Sequence, residues 1–226
     1  MKAGWRVSIA LPVLAGLAFA TSAAMSSFSA DQSARVASVE MGTWLASGAT
    51  PSAEGWNSVL AELMAAGERA EDDPGTHELL GILYAMRRDG AEYRQAADVH
   101  FKRALALRPT SPYTWANLAE VDYDRGAPNR DIEMAMTNAA RLGPGEPEVQ
   151  RIVVDYGLAL WDELPTESRA TVERALSAGL RRNPLEMLRI SDRRGRLALA
   201  CRHLAANPGA PGQKWYQLCQ STEATP

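Results

Sequence analysis

The chain has little of what enzymes most often use for catalysis and metal binding. Its 226 residues include three histidines and two cysteines. His77, His100 and His203 are far apart, and no pair has the i, i+4 spacing of a helical metal site. The cysteines lack a C-x-x-C arrangement, and no nucleophile elbow, phosphate-binding loop or dinucleotide fingerprint occurs. The sequence therefore predicts no metal site, no cofactor and no catalytic residue.

Strand signals are also scarce, because runs of β-branched residues are short. The segment Ile152–Val154 is one such run, and it lies inside a helical pattern. Helix boundaries are easier to see. Ser111-Pro112 indicates an N-cap with proline at the first helical position, and Asp89-Gly90 and Arg125-Gly126 are typical of helix ends. The chain is therefore predicted to be all-α.

A recurring helical spacing occupies residues 75–184. The first copy carries aliphatic, aromatic and small residues and ends in a proline: Leu80, Gly81, Tyr84, Ala97, Phe101, Ala104 and Pro109. The second copy ends 35 residues later: Trp115, Leu118, Ala119, Ile132, Met136, Ala139 and Pro144. A degenerate third copy follows: Tyr156, Gly157, Val172, Leu176 and Pro184.

This spacing resembles the tetratricopeptide repeat, a helix–turn–helix unit of about 34 residues that stacks into a solenoid. In such a unit, small residues such as Ala97 and Ala104 let two helices approach, and Phe101 fills the space between them. The resemblance implies a short solenoid of helical hairpins that holds protein partners. The alternative is another all-α domain in which alanines and leucines have this spacing by chance.

The resemblance also implies a concave face, lined by the first helix of each repeat. The positions that correspond to it in this chain are Ile82, Met86, Tyr113, Glu120, Tyr123, Asp124, Arg151, Leu158, Trp161 and Asp162. Aromatic rings beside carboxylates suit stacking on sugars or contact with an extended peptide. The cationic clamp that some repeat proteins use for acidic carboxyl-terminal peptides is missing. The same residues could instead be covered by the amino-terminal helices.

The amino terminus has the composition of a targeting segment. Lys2 and Arg6 precede an apolar stretch over residues 7–28, interrupted only by small polar residues and Pro12. Its part from Val7 to Ala20 has the length of a signal-peptide core, whereas the whole stretch is long enough to span about 30 Å of hydrocarbon. Either reading, signal peptide or uncleaved anchor, sends the rest of the chain out of the cytoplasm. We therefore expect a bacterial periplasmic domain, either tethered to the inner membrane by one helix or released by cleavage.

Further segments follow from breaks in the pattern. Residues 1–30 are the signal anchor or signal peptide, 31–74 membrane-proximal and capping helices, 75–184 the repeats, 185–220 carboxyl-terminal capping helices, and 221–226 a disordered tail. The capping segment Ser52 to Ala70 is amphipathic. Its predicted apolar face comprises Trp56, Val59, Leu60, Leu63 and Met64.

The two cysteines lie near the carboxyl end of the chain, at Cys201 and Cys219. In an oxidising compartment the simplest prediction is that they pair. A turn over residues 207–212 would let the two segments fold back on each other. The alternative is two buried thiols.

Charge is unevenly distributed along the chain. Residues 31–168 contain 12 basic and 23 acidic side chains, whereas residues 169–202 contain nine arginines and three acidic side chains. The predicted basic patch comprises Arg181, Arg182, Arg189, Arg193, Arg194, Arg196 and Arg202. It could meet anionic lipid, a uronic-acid polysaccharide or an acidic protein, or it could pair with acidic neighbouring repeats. Nucleic acid is disfavoured, because no aromatic residues alternate with the arginines.

The layout of the chain and the segment Ala104 to Ala119 resemble the VpsP-type accessory proteins of bacterial polysaccharide biosynthesis. This resemblance implies a non-catalytic, membrane-tethered scaffold that positions synthesis or export components. One alternative is a general adaptor for envelope assembly or secretion. Another is a solenoid enzyme that degrades polysaccharide, with Glu120 and Asp124 as candidate carboxylates.

Overall fold

The structure, a computed structural model, describes residues 32–87, 89–206 and 219. Within these residues every regular element is a helix and no strand occurs, so the predicted all-α class is confirmed there. The chain divides into two compact units, Met1–Met86 and Arg87–Pro226. The predicted leader at 1–30, the turn at 207–212 and the tail at 221–226 lie outside the described residues.

The first unit contains three described helices. They are α1 over residues 32–47, α2 from Ala53 to Arg69 and α3 from Pro74 to Ala85. Ser52 caps α2 by accepting a hydrogen bond from the Gly55 N–H at 3.1 Å. Asp73 caps α3 in the same way: its carboxylate accepts a hydrogen bond from the Thr76 N–H at 2.7 Å. Each cap satisfies a backbone donor that the helix itself leaves without a partner.

Helices α2 and α3 pack through an aromatic contact. The Trp56 indole donates a hydrogen bond to the Leu83 carbonyl at 3.0 Å, and its ring lies 5.7 Å from that of Tyr84. Trp56, Val59 and Leu63 are buried as predicted, but Met64 is 47% exposed. Met64 follows Leu63 directly, and one residue turns a helix by about 100°, so the two side chains point in different directions.

The second unit contains seven helices within its described residues. They are α4 (Ala91–Leu107), α5 (Pro112–Asp124), α6 (Asn129–Leu142), α7 (Pro147–Ala159), α8 (Thr166–Arg182), α9 (Pro184–Arg193) and α10 (Leu197–Ala205). Helices α5, α7 and α9 each begin with proline, whose missing N–H would have no helical partner at that position. The predicted N-cap at Ser111 is confirmed, and so is the predicted end at Gly126, whose φ is +72°.

The predicted helix end at Asp89-Gly90 is wrong. Helix α3 ends at Ala85, and Gly90 has an extended backbone with φ −149° and ψ 143° directly before α4. Asp89 does not end a helix either. Its carboxylate accepts two hydrogen bonds from the Arg87 guanidinium, both at 3.0 Å.

Contacts between the helices of the second unit follow a regular order. Each helix packs against the next, and from α5 onward each also packs against the next but one. Helices α5, α7 and α9 therefore lie side by side, and we call them the odd layer. Helices α6, α8 and α10 form the even layer.

Small residues and glycine bring the two layers together. A Cβ added at Gly157 of α7 would lie 2.3 Å from a methyl carbon of Val172 on α8, so only glycine fits this contact without a shift. The residues of the recurring spacing fill the space between helices. Those buried to 3% exposure or less include Ala97, Phe101, Ala104, Leu118, Ala119, Ile132, Met136, Ala139, Val172 and Leu176.

The carboxyl-terminal part of the unit contains a disulfide. Cys201 on α10 is bonded to Cys219, with their Cα atoms 5.6 Å apart.

Among the described residues there is no helix with both the length and the apolar character that a membrane crossing requires.

Candidate functional site

The odd layer brings two aromatic residues into a cluster: Tyr123, predicted to contact a partner, and Tyr156, predicted as a packing position of the third repeat copy. Tyr123 on α5 and Tyr156 on α7 have ring centroids 4.9 Å apart. The guanidinium of Arg194, at the end of α9, lies 5.6 Å from the first ring and 5.8 Å from the second. A cation at this distance from an aromatic face is attracted by the ring electrons. Three consecutive helices of the layer thus contribute to one cluster.

The same arginine is held by a buried carboxylate. Asp155 is 6% exposed; its Oδ1 accepts from Arg194 Nε at 2.7 Å and its Oδ2 from Arg193 Nη2 at 2.8 Å. Both oxygens of the carboxylate are therefore bonded to arginine. We call the set Glu120, Tyr123, Asp155, Tyr156, Arg193 and Arg194 the tyrosine face.

Two groups at or beside the tyrosine face, Tyr156 and Arg151, have raised pKa values. Burial raises the pKa of Tyr156, and the negative charges of Glu120 and Asp124 raise it further. Nearby, a hydrogen bond to Glu148 raises the pKa of Arg151. The phenol stays neutral and the guanidinium stays charged, which suits recognition better than proton transfer.

The other predicted partner-contacting residues make separate pairs. Tyr113, 42% exposed, donates to the carboxylate of Glu146. Trp161 lies beneath the Arg169 guanidinium, and the Arg169 Cζ atom is 5.7 Å from the centroid of the Trp161 ring. Asp162 accepts from Arg196 at 2.5 Å.

Three predicted positions do not join these clusters. Leu158 is 1% exposed, so the prediction that it lines a surface is wrong: α7 packs against α5, α6, α8 and α9, and residues 152–158 are all buried. Ile82 and Met86 lie in the first unit and are half-buried.

The predicted basic patch divides into two groups. Arg193, Arg194 and Arg196 form ion pairs with Asp155 and Asp162, as the pairing alternative expects. Arg181 donates to the Ser177 hydroxyl at 3.1 Å. Within the described residues, no carboxylate pairs with the exposed side chains of Arg181, Arg182, Arg189 and Arg202.

The structure also contains an ion cluster that sequence reasoning missed. The Arg125 guanidinium bridges Asp122 at 2.6 Å and Asp98 at 3.3 Å, and Lys102 lies 2.7 Å from Asp98. Both carboxylates are nearly fully buried, and burial raises the pKa of Asp122. The i, i+3 spacing of Asp122 and Arg125 and the i, i+4 spacing of Asp98 and Lys102 were the available signals. This cluster joins α4 to α5.

A groove of about 570 Å³ lies between α6, α7 and α8. Its floor is apolar and comprises Ala140, Val149, Val153, Ala175 and Ala178. Its rim carries Arg141, Arg174 and Arg181, with Glu167 as the acidic lining residue. We call it the arginine groove. A second groove, of about 530 Å³, lies along α7 and α9 and includes Arg151, Arg189 and Arg193.

Candidate metal ligands do not cluster in the described part of the chain: no three histidine, cysteine or acidic side chains there lie close enough to hold an ion. Comparison with known protein families finds no family that matches this chain, and comparison with curated proteins finds no similar sequence.

Proposed function

We propose that the second unit is a short tetratricopeptide-like solenoid that binds protein partners and catalyses no reaction. The observation that carries this proposal is the side-by-side order of α5, α7 and α9, with their polar and aromatic side chains gathered on the tyrosine face. In a solenoid each repeat contacts its neighbours, so equivalent helices line one continuous surface.

The repeat spacing supports the solenoid as well. Ala97, Phe101 and Ala104 are buried in the first copy, and Ile132, Met136 and Ala139 are buried at the corresponding places in the second. The third copy keeps the contact in another form. Gly157 stands where the repeat has its small residue, and Val172 fills the space beside it. These are the positions at which paired helices in this kind of repeat touch.

The chemistry of the tyrosine face favours binding over catalysis. Asp155 has both oxygens bonded to arginines, and the pKa of Tyr156 is raised away from neutrality. A general acid or base works best with a pKa near the working pH and an accessible proton. Stacked rings beside paired charges offer instead a preformed surface for an extended or helical segment of a partner.

We further propose that this unit lies in the bacterial periplasm, held or delivered by the leader at 1–30, and serves polysaccharide synthesis or export. The leader's composition supports the compartment, and so does the Cys201–Cys219 disulfide, because such bonds persist in oxidising compartments. The link to polysaccharide rests on the resemblance of residues 104–119. A general envelope adaptor would have the same location and the same face.

Site-directed photocrosslinking tests the proposal. A benzoyl-phenylalanine at Tyr113, exposed on α5, is compared with one at Met134, exposed on α6. In cells that produce polysaccharide and express the full chain, we expect a discrete crosslinked protein from position 113 and none from position 134. Equal products from both positions would contradict a binding face on the odd layer. Depolymerisation of an acidic polysaccharide by the purified protein, lost in Glu120→Gln, would contradict the non-catalytic role.

A further inference from the structure

The arginine groove has the dimensions and lining of a binding site that the tyrosine face does not include. Its volume of about 570 Å³ is within the usual range for ligand pockets. The floor is built from alanine and valine side chains of α6, α7 and α8. Two of these side chains, Val149 and Val153, are almost fully buried. Small side chains keep the floor shallow, so the backbone of a bound segment can approach closely.

The three rim arginines make no ion pair within the described residues. Each donates to a neutral oxygen on its own helix: Arg141 to Asn138 at 3.2 Å, Arg174 to Thr171 at 2.8 Å, and Arg181 to Ser177 at 3.1 Å. All three side chains are exposed. Glu167, on the first turn of α8, is the acidic residue that lines the groove, so the rim has an excess of positive charge.

We propose that the arginine groove binds an acidic amphipathic helix of a partner protein. Small apolar side chains of that helix would lie on the alanine and valine floor, and flanking carboxylates would pair with Arg141, Arg174 and Arg181. A helix laid in an apolar groove is a recurring mode of recognition. Arginine forms paired, directional hydrogen bonds with carboxylates. The positive rim therefore favours a helix with acidic side chains, and the apolar floor favours a helix that also has an apolar face.

Other anions fit the same arginines but use the floor less well. A uronic-acid polymer offers carboxylates, but its hydroxyls would face a mainly apolar floor, with Thr137, Gln150 and Thr171 as the neutral polar residues of the lining. Among the described residues, no aromatic side chain lines the groove for a sugar ring to stack on. An anionic bilayer is flat, whereas the floor lies in a groove between three helices. This proposal does not depend on whether the tyrosine face binds a partner.

The test is binding of a synthetic peptide to the full chain in neutral phosphatidylcholine nanodiscs. The probe is a fluorescent helical peptide of alanine, leucine and glutamate, with the glutamates flanking one apolar stripe, and its matched peptide has glutamine in their place. We expect the glutamate peptide to bind, and we expect its affinity to fall with added salt. The glutamine peptide should bind at least tenfold more weakly, because it lacks the charges that pair with the arginines. Empty nanodiscs provide the background.

Two variants with the same loss of charge locate the site. Arg141→Gln/Arg174→Gln/Arg181→Gln should weaken peptide binding about 20-fold, as expected for three partly exposed charge contacts. Arg130→Gln/Arg189→Gln/Arg202→Gln removes exposed arginines that do not line this groove and should have little effect. Thr137→Glu, which adds a negative charge to the lining, should also weaken binding while leaving the helical content unchanged.

Three outcomes would overturn the proposal. The first is no binding of the glutamate peptide above that of the glutamine peptide. The second is an equal loss of affinity in the two triple variants. The third is preferential binding of a polyuronate or of phosphatidylglycerol nanodiscs that depends on Arg141, Arg174 and Arg181, which would assign the groove to another class of ligand.

Discussion

The tyrosine face and the arginine groove use the same residue type in opposite ways. On the tyrosine face, Arg193 and Arg194 are bonded to the buried Asp155, and Arg194 also lies over two aromatic rings. In the arginine groove, Arg141 and Arg174 donate to neutral side chains of their own helices. The first set therefore stabilises the unit, and the second set has its charge available to a partner.

This difference shows why a run of basic residues does not by itself define an anion site. Seven arginines between 181 and 202 look alike in the sequence, yet three of them are paired within the chain. Buried pairs are costly to break, because the remaining charge loses its compensation. Exposed arginines bonded to hydroxyls or amides can be exchanged at little cost to folding.

The largest effect should come from removing the carboxylate of the tyrosine face. Asp155→Asn leaves two arginines without their shared anion and should lower the free energy of unfolding by about 3 kcal/mol. The matched change in the arginine groove, Glu167→Gln, removes an exposed carboxylate and should change it by less than about 0.5 kcal/mol. Urea unfolding followed by circular dichroism measures both. Similar losses in the two variants would remove the distinction between the faces.

A somewhat smaller effect should follow from forcing the two layers apart. Gly157→Ala places a Cβ 2.3 Å from Val172, and overpacking of this kind costs about 1–3 kcal/mol. Gly145→Ala, where a Cβ meets nothing within 4 Å, is the control. Adding Val172→Ala to Gly157→Ala should recover part of the loss. If the double variant is no more stable than Gly157→Ala, the contact with Val172 does not limit the size of the side chain at position 157.

The smallest effect concerns the titration of Tyr156. Its folded-state pKa is raised, so its contribution to stability is fully present below about pH 10, the ordinary pKa of tyrosine, and is lost as pH rises toward the folded-state value. Absorbance at 295 nm should show a late phase of phenol ionisation from Tyr156, later than that of Tyr113, whose pKa a hydrogen bond to Glu146 raises less far. Tyr156→Phe should remove that late phase, whereas Tyr113→Phe should leave it in place. A late phase that survives in Tyr156→Phe would contradict the buried, acid-flanked position of this ring.

Local signals in the sequence predicted much of the fold. The N-cap and proline at Ser111-Pro112 mark the start of α5, and the small and aromatic residues at Ala97, Phe101 and Ala104 are all buried. Such features depend on neighbours three to six residues away, which the sequence displays directly. The same reasoning failed at Gly90, because glycine also adopts the extended backbone that precedes a helix.

The candidate site was less predictable, because it depends on contacts between distant residues. Arg193 and Arg194 lie 38 and 39 residues from Asp155, and nothing near either residue indicates the pairing. The repeat resemblance predicts Leu158 on a surface, yet α7 packs against four neighbouring helices. The arginine groove combines side chains of three helices, so the spacing within any one helix could not reveal it.

The most direct test of this account compares two variants that each lose three arginines. Arg193→Gln/Arg194→Gln/Arg196→Gln should lower the free energy of unfolding by about 3 kcal/mol, because Asp155 stays buried without a partner. Arg141→Gln/Arg174→Gln/Arg181→Gln should lower it by less than about 0.5 kcal/mol. Equal losses, or a larger loss in the second variant, would contradict the assignment of one set of arginines to folding and the other to binding.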